Sequence, residues 1–424
     1  MDWFNGRRFP IIEIVLGAAV VVLGWKYQGN IDINTTPRLL MGLVCAMVVA
    51  YGLISPLAPI YCWAFIAPLY PASSTSLILF CGTIFTLAQP RNRGVWRWNF
   101  SIAGVLFCLW GMASVLWSET IDFSPDGFFI ISFPGFILSI LVAGIREPTF
   151  RRNLTFVLIV AAVVGCIVTY SNWLHGTSYS ENPLYAETGR FKSFIQPDVF
   201  SSWCLFAVLS LLVILIERTK LFSRAWLLCL AMLLYSASGI VLCGYRSSIL
   251  AMGVGAIVML MITNHKKLAL FMIMVAVALM AVISFEFGIF DLVGDRFATM
   301  QSDQGSGRFE IWNYGWKLFL QNPLIGIGWD GYKFAIEQYY GVPELSHNLY
   351  LQTLVELGII GELLMLIWIY VLIKKAWSAR DRTWILPILI AFLFQGMFLG
   401  QFFYIYFWLA VGIAENSSIA KVRN

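Results

Sequence analysis

Residues 305–361 read GSGRFEIWNYGWKLFLQNPLIGIGWDGYKFAIEQYYGVPELSHNLYLQTLVELGIIG, a long polar and aromatic stretch in an otherwise apolar chain. The stretch ends in Ser-His-Asn as a new apolar run begins. Over the whole chain 59% of residues are hydrophobic and 12% are charged, whereas about 25% charge is usual in a soluble domain. The sequence therefore predicts an integral membrane protein with one large loop outside the lipid, and we expect its chemistry in that loop.

Apolar runs recur along the chain, and a membrane helix needs about 20 such residues. The runs lie near 9–26, 38–55, 57–70, 76–88, 99–117, 127–145, 154–173, 199–217, 225–243, 248–263, 268–285, 348–373 and 384–414. Prolines within 57–88 indicate either two short helices or one broken helix, and the length of 384–414 favours a tight hairpin. The predicted fold is an all-α polytopic membrane bundle of about 12 transmembrane helices.

Basic residues cluster in alternate connections, and the clusters hold 19 of the 28 lysines and arginines. Such an asymmetry is the positive-inside signature, so we assign these connections and both termini to the cytoplasm. The 305–361 stretch then faces the opposite side. The clusters are Arg7/Arg8, Arg91/Arg93/Arg97, Arg146/Arg151/Arg152, Arg218/Lys220/Arg224, Lys266/Lys267, Lys374/Lys375/Arg380/Arg382 and Lys421/Arg423.

Two long connections lie on that opposite side, at about 172–198 and 286–346. Loops of this length are more often functional than idle. In the second one, aromatic and apolar residues spaced along 308–321 predict an amphipathic helix, which either rests on the bilayer surface or caps the bundle. Asn322-Pro323 ends this helix, a second short helix is predicted at 330–340, and Ser346 is the expected N-cap of the next membrane helix.

His347 is the first candidate for chemistry, because it is predicted in the first turn of a membrane helix. There the positive end of the helix dipole favours a neutral imidazole, which can accept a proton as a general base. Asn348, Gln352 and Glu356 follow at four-residue spacing and draw a polar stripe along one helix face. An acid inside a membrane span marks a functional interior path, although a structural histidine and a buried packing network explain the same residues.

Three arginines fall on the side that positive-inside selection disfavours: Arg190, Arg246 and Arg308, with Lys192 close to the first. Arg246 lies in Gly-Tyr-Arg-Ser-Ser between two spans, where Ser247 or Ser248 could cap the next helix. Guanidinium groups near helix ends can clamp a diphosphate through bidentate hydrogen bonds. Anchoring to lipid head groups and ion pairing with acids of the loop are the alternatives.

Other common chemistries lack their motifs in this chain. The sequence has no Gly-Lys-Ser/Thr phosphate loop, no HExxH and no GxSxG. The acids of the outer loops lack metal-ligand spacing, and the eight cysteines form no CxxC pair. We therefore expect neither a metal nor a cofactor.

The motifs GSGR, NPLIGIGW and SHNLYLQTLVELGIIG resemble the shared C-terminal region of bacterial O-antigen ligases and O-antigen polymerases. GRFKSFIQPDVF and YRSS resemble the upstream arginine motifs of the same proteins. The resemblance consists of separate motifs between about Gly189 and Gly361. It departs at Asp198, where the family commonly has Asn.

The resemblance implies a GT-C-type membrane glycosyltransferase of the Gram-negative inner membrane, most closely an O-antigen ligase. It implies a glycan on undecaprenyl diphosphate as donor, lipid A–core as acceptor, membrane lipid as surroundings and no nucleic-acid partner. Arg190, Arg246 and Arg308 would bind the diphosphate on the periplasmic side and His347 would be the base, with Lys192, Asn348, Gln352 and Glu356 in support. O-antigen polymerase and a polytopic transporter or flippase are the alternatives.

The implied organisation has three parts. Residues 1–285 form a transmembrane bundle that includes the periplasmic connection at about 172–198. Residues 286–346 form the large periplasmic loop with its amphipathic helices, and residues 347–424 form the C-terminal transmembrane helices.

Overall fold

The computed structural model describes residues 9–27, 35–70, 73–118, 132–177, 191–286, 308–341, 345–379 and 381–416. Within these ranges the chain forms sixteen α-helices and no β-strand. The helices are α1 (Ile11–Tyr27), α2 (Thr35–Gly52), α3 (Ala58–Ile66), α4 (Ser73–Ala88), α5 (Ile102–Ser114), α6 (Phe133–Gly144), α7 (Phe150–Leu174), α8 (Pro197–Glu217), α9 (Arg224–Leu242), α10 (Arg246–Ile262), α11 (Lys266–Glu286), α12 (Arg308–Gln321), α13 (Tyr332–Tyr340), α14 (Leu349–Ser378), α15 (Arg382–Gln395) and α16 (Ile405–Asn416).

Four of the described helices, α7, α8, α9 and α14, are long and apolar enough to cross a membrane. Seven further apolar stretches in the described ranges are helices of 10–17 residues. These lengths and compositions are those of a polytopic all-α membrane protein. The number of about 12 spans and the GT-C arrangement stay predictions.

Several helix boundaries agree with the sequence pattern. Residues 57–88 form two helices, α3 and α4, rather than one broken helix. The 384–414 run forms the predicted hairpin, because α15 and α16 pack together across the turn at 396–404. The helix predicted at 308–321 is α12, with the same bounds.

The chain divides into two compact units, residues 1–97 with 145–293 (unit 1) and residues 98–144 with 294–424 (unit 2). In unit 1, α8 packs against α7, α9 and α10. Its side chains are buried on every face, including the large residues Phe200, Trp203 and Phe206. A helix that is apolar all round belongs inside a bundle, so α8 is the core of unit 1.

In unit 2, α14 is interrupted at Gly358, whose φ of 68° and ψ of −172° are not helical. Helix 359–378 beyond the break has 20 residues and a length of about 30 Å, which matches the hydrocarbon thickness of a bilayer. The nine residues 349–357 before the break form a separate short segment. The predicted span at 348–373 is therefore two helical pieces.

The turn at 323–328 replaces the helical hydrogen bonds that this break removes. Pro323 and Leu324 offer their carbonyls to the N–H groups of residues 359 and 360, at 2.8 and 3.3 Å. Residues 327 and 328 donate their N–H groups to the carbonyls of 355 and 356, at 3.1 and 2.8 Å. The carbonyl of Leu357 accepts from the indole N–H of Trp110 at 3.0 Å. Because buried backbone groups are costly when unpaired, this pairing makes the break tolerable.

A buried acid fixes the C-terminal end of α14. Glu415 of α16 is fully buried and forms an ion pair with Lys375 of α14. Its carboxylate also accepts from the indole of Trp368 at 3.0 Å and from the hydroxyl and backbone N–H of Ser101. A buried carboxylate needs such complete pairing to offset its desolvation. The cluster ties α14 and α16 to the start of α5.

We expect Gly326→Ala to destabilise the protein more than Gly341→Ala. Both glycines have φ of +70°, where a side chain costs about 1–2 kcal/mol. A Cβ at Gly326 would also overlap the Glu356 carbonyl, whereas a Cβ at Gly341 meets no atom within 4 Å. Thermal unfolding of the two variants in detergent measures the difference. Equal losses would mean that the turn and α14 are not tightly paired.

Candidate functional site

The entry to α14 is organised by Ser346 and Asn348. The N-cap of the helix is Asn348, whose side-chain oxygen accepts from the N–H groups of Tyr350 and Leu351 at 3.0 and 3.1 Å. The expectation that Ser346 is the N-cap was wrong, because the extended backbone needed at the cap falls two residues later. Ser346 is fully buried, and its hydroxyl oxygen instead accepts from the N–H of Asn348 at 3.1 Å.

His347 lies between these two residues, just before the N-cap and not in the first helical turn as the sequence predicted. Its φ is 47°, in the left-handed region that few residues other than glycine adopt. The backbone is fixed on both sides of His347, since the Ser346 carbonyl accepts from the Trp312 indole at 2.8 Å and the Leu349 N–H, two residues after His347, donates to the Gly396 carbonyl at 2.7 Å. The half-buried imidazole is therefore carried on a constrained backbone.

The predicted polar stripe forms a buried network. Gln352 donates from Nε2 to Oε1 of Glu356 at 3.1 Å, and the same oxygen accepts from the backbone N–H of Tyr332 at 3.3 Å. Gln352 and Glu356 are both buried, and the Ser346 hydroxyl lies 3.4 Å from Oε1 of Gln352. Glu356 thus connects the start of α13 to α14 just before the Gly358 break.

Tyr332 joins this network to α12. Its hydroxyl donates to the Ile311 carbonyl at 2.8 Å, and its ring packs with Leu318, Phe319, Ile336 and Val355. Gly315 leaves the space that the ring needs. Burial and the neighbouring Glu356 carboxylate raise the pKa of Tyr332 above its ordinary value, so the phenol stays a hydrogen-bond donor.

Arg308 is the first residue of α12 and is half-buried. The first turn of α12 is held by Tyr332, whose hydroxyl donates to the Ile311 carbonyl, and by the Trp312 bond to Ser346. The start of α12 is therefore connected directly to the segment that enters α14. Unit 2 therefore places Arg308 on the helix that fixes the backbone beside His347.

In unit 1, the described candidate residues for binding the diphosphate lie at the end where α8 and α10 begin. The hydroxyls of Ser201 in α8 and Ser248 in α10 are 2.8 Å apart. The segment entering α8 is fixed to the ends of α7 and α9, because Asn172 donates to the Lys192 carbonyl at 2.9 Å and Phe191 N–H donates to the Leu242 carbonyl at 3.0 Å. The exposed Lys192 and the half-buried Arg246 lie at this end.

Arg246 is the first residue of α10, as its position in the sequence suggested. The N-cap is Tyr245 and no side chain caps the helix, so the proposed capping role of Ser247 or Ser248 was wrong. Ser248 pairs with Ser201 instead. Arg190 falls outside the described residues, although the segment that follows it is fixed beside α9.

Residues 230–366 match the family model described as O-antigen ligase. This segment is an O-antigen ligase family domain. The match confirms the resemblance seen in the motifs, and it supports a membrane enzyme with O-antigen ligase or polymerase activity in general. Among curated proteins, none matches the chain.

The matched segment contains Arg246, Arg308, His347, Asn348, Gln352 and Glu356. Arg190 and Lys192 precede it. The domain also contains the turn at 323–328 and the break at Gly358. The roles of the individual side chains stay predictions.

The sequence pattern did not predict the contacts that hold α12, the turn at 323–328, α13 and α14 together. The backbone N–H of Tyr332, the indole of Trp312 and the carbonyls of 323 and 324 make the decisive contacts. Most of these contacts use backbone groups, and a pattern of side chains does not predict which backbone N–H or carbonyl will pair with a distant segment. The glycines of Gly-Ile-Gly-Trp were the available signal, because a glycine turn permits close approach of another backbone.

We expect Glu356→Gln to keep most of the stability that Glu356→Leu loses. Glutamine retains an oxygen that can accept from Tyr332 and Gln352, whereas leucine leaves two buried donors unpaired at about 1–3 kcal/mol each. Glu337→Leu on the exposed face of α13 is the matched control. Thermal unfolding in detergent tests this, and equal effects of Glu356→Leu and Glu337→Leu would contradict it.

Proposed function

We propose that the protein is an O-antigen ligase of GT-C type, which transfers a glycan from undecaprenyl diphosphate to a sugar hydroxyl of lipid A–core. The observation that carries the proposal is the family match over 230–366, which includes the constrained His347 and both described candidate arginines. The reaction needs no nucleotide, because the glycosyl diphosphate already holds a reactive bond, and we propose that arginines rather than a metal neutralise the leaving diphosphate. Direct attack by the acceptor inverts the anomeric centre.

The distribution of charge over the helix ends of unit 1 supports a periplasmic site. The end where α8 and α10 begin carries Lys192 and Arg246 among its described residues. The opposite helix ends carry the basic residues that the positive-inside rule assigns to the cytoplasm. These are Arg146, Arg151, Arg152, Arg218, Lys220, Arg224, Lys266 and Lys267.

Arg246 is proposed to bind the donor diphosphate. The N-termini of α8 and α10 meet at its end of unit 1, and helix N-termini favour anions through their dipoles and free N–H groups. Arg246 adds a guanidinium group that can bind two phosphate oxygens at once. Lys192, Arg190 and Arg308 are proposed to supply further positive charge as the diphosphate leaves.

His347 is proposed to act as the general base. The acceptor hydroxyl oxygen attacks the anomeric carbon, the bond from that carbon to the diphosphate oxygen breaks, and the hydroxyl proton passes to the imidazole. Undecaprenyl diphosphate leaves with the bonding electrons. Residues other than glycine with left-handed backbone cluster at functional sites, and His347 has such a backbone, fixed on both sides.

The direct test uses the purified protein in lipid nanodiscs with an undecaprenyl-diphosphate-linked glycan. One reaction contains lipid A–core, and a second contains only additional lipid-linked repeat units. Mass spectrometry of the lipids should show glycan on lipid A–core. A lengthened lipid-linked glycan in the second reaction would make the protein a polymerase, and no product in either would leave a transporter as the better interpretation.

Arg246→Lys should lose about 10–100-fold in transfer rate, because a lysine cannot reproduce a bidentate charged hydrogen bond worth about 1.5–3 kcal/mol. Arg224→Lys is the matched control, because Arg224 is exposed and begins α9, whereas Arg246 follows the C-terminal end of α9. Initial rates in the nanodisc assay give the comparison. Unchanged turnover in Arg246→Lys would restrict Arg246 to an anchoring role.

His347→Ala should insert and bind donor lipid normally and yet lose about 10²–10⁴-fold in rate, as removal of a positioned base does. His265→Ala, which changes an exposed histidine outside α12–α14, should retain activity. His347→Gln separates the roles, since glutamine can form a hydrogen bond and cannot take the proton. Near-normal transfer by His347→Gln would show that His347 only orients the substrate.

A further inference from the structure

Helix α12 presents three distinct faces. Gly315, Leu318 and Phe319 are buried against α13 and α14. At 3.6 residues per turn, Phe309, Trp316 and Leu320 share a second face and are 65%, 49% and 59% exposed. Glu310, Lys317 and Gln321 are exposed on a third, polar face. A helix packed on the protein in water needs only one apolar face, so the second one requires a partner.

The exposed apolar face continues along the turn after α12. Leu324 and Ile325 are also exposed. We call Phe309, Trp316, Leu320, Leu324 and Ile325 the α12 apolar surface. It is joined to the spanning helix 359–378 through the backbone bonds from residues 359 and 360 to the carbonyls of Pro323 and Leu324.

That spanning helix has its own exposed apolar side chains next to the junction. They are Ile359, Ile360, Leu363, Leu366 and Ile367. In a membrane-crossing helix such side chains face lipid. The α12 apolar surface therefore adjoins a lipid-facing surface at residues 359 and 360.

Helix α13 provides the contrast within the same loop. Its described exposed side chains are Lys333, Glu337 and Gln338, all polar. A water-facing helix of this protein is thus polar on its exposed side, whereas α12 is not. Contiguous exposed apolar surface of this kind marks an interaction site.

We propose that the α12 apolar surface is embedded in the bilayer, where it binds the acyl chains of surrounding lipids at the membrane boundary. Helix α12 then lies in the interfacial plane, with its polar face toward head groups and water. Trp316 belongs at this depth, since indole rings concentrate at the membrane interface. The proposal requires the membrane character of the chain and does not depend on the ligase activity.

Single spin labels in lipid nanodiscs test this placement. The parent carries Cys81→Ser, because Cys81 is the exposed cysteine among eight and the other seven are buried. Cysteines are introduced singly at Trp316, Leu320 and Leu324, with Lys317 and Gln321 as matched controls on the polar face. Collision of each label with oxygen, which concentrates in lipid, is compared with its collision with a water-soluble nickel chelate.

Labels on the α12 apolar surface should favour oxygen over nickel several-fold more than the two controls. Equal nickel accessibility on both faces would overturn the proposal and place α12 in water. Poor access to both probes, with spin–spin coupling that disappears on dilution with unlabelled protein, would overturn it in favour of a second copy of the chain. Leu320→Glu and Gln321→Glu, which need no label, should respectively lower and leave unchanged the unfolding temperature in nanodiscs.

Discussion

The structure of unit 2 depends on the insertion of a glycine turn into the hydrogen-bond ladder of a membrane helix. At Gly358 the helix loses bonds that lipid could not replace, and the turn at 323–328 supplies two acceptors and two donors to the freed groups. Broken helices are found at membrane depth only where protein satisfies the backbone. The break and the turn therefore require each other, although about 30 residues separate them along the chain.

This pairing determines where the candidate catalytic residues lie. The turn connects α12 to α13, so its attachment to α14 brings the Tyr332 N–H to Glu356 and the Trp312 indole to Ser346. The backbone on each side of His347 is then fixed by contacts with elements distant in sequence. The break at Gly358 also separates helix 359–378, which is long enough to span the bilayer, from a short segment that carries Gln352 and Glu356. Glu356 is thus a connecting acid at the end of a span and not an acid in its middle.

Unit 1 uses a different arrangement at the end where α8 and α10 begin. Its central helix α8 is buried on all sides, and the hydroxyl pair Ser201–Ser248 joins α8 and α10 near their N-terminal, positive ends. The loop before α8 is attached by the Asn172 side-chain amide, which donates to the Lys192 carbonyl, and by the Phe191 N–H, which donates to the Leu242 carbonyl. Lys192 and Arg246 lie at this end, where the two helix N-termini favour anions. Together with the family match, these features support a lipid-linked diphosphate as the donor.

The sequence by itself determined the class of the protein, the positions of most helices and the family. Hydrophobic runs and their basic flanks report burial in lipid directly, and the 308–321 helix and the 384–414 hairpin follow from periodicity and length. It also identified His347, Arg246 and the Gln352–Glu356 stripe as residues of interest. The tertiary structure decided that Asn348 and not Ser346 caps α14, that Tyr245 precedes α10 without a capping side chain, and that α14 is broken. These outcomes depend on backbone groups of distant segments, such as the carbonyls of 323 and 324. Every residue carries such groups, so no local pattern of side chains distinguishes the ones that pair.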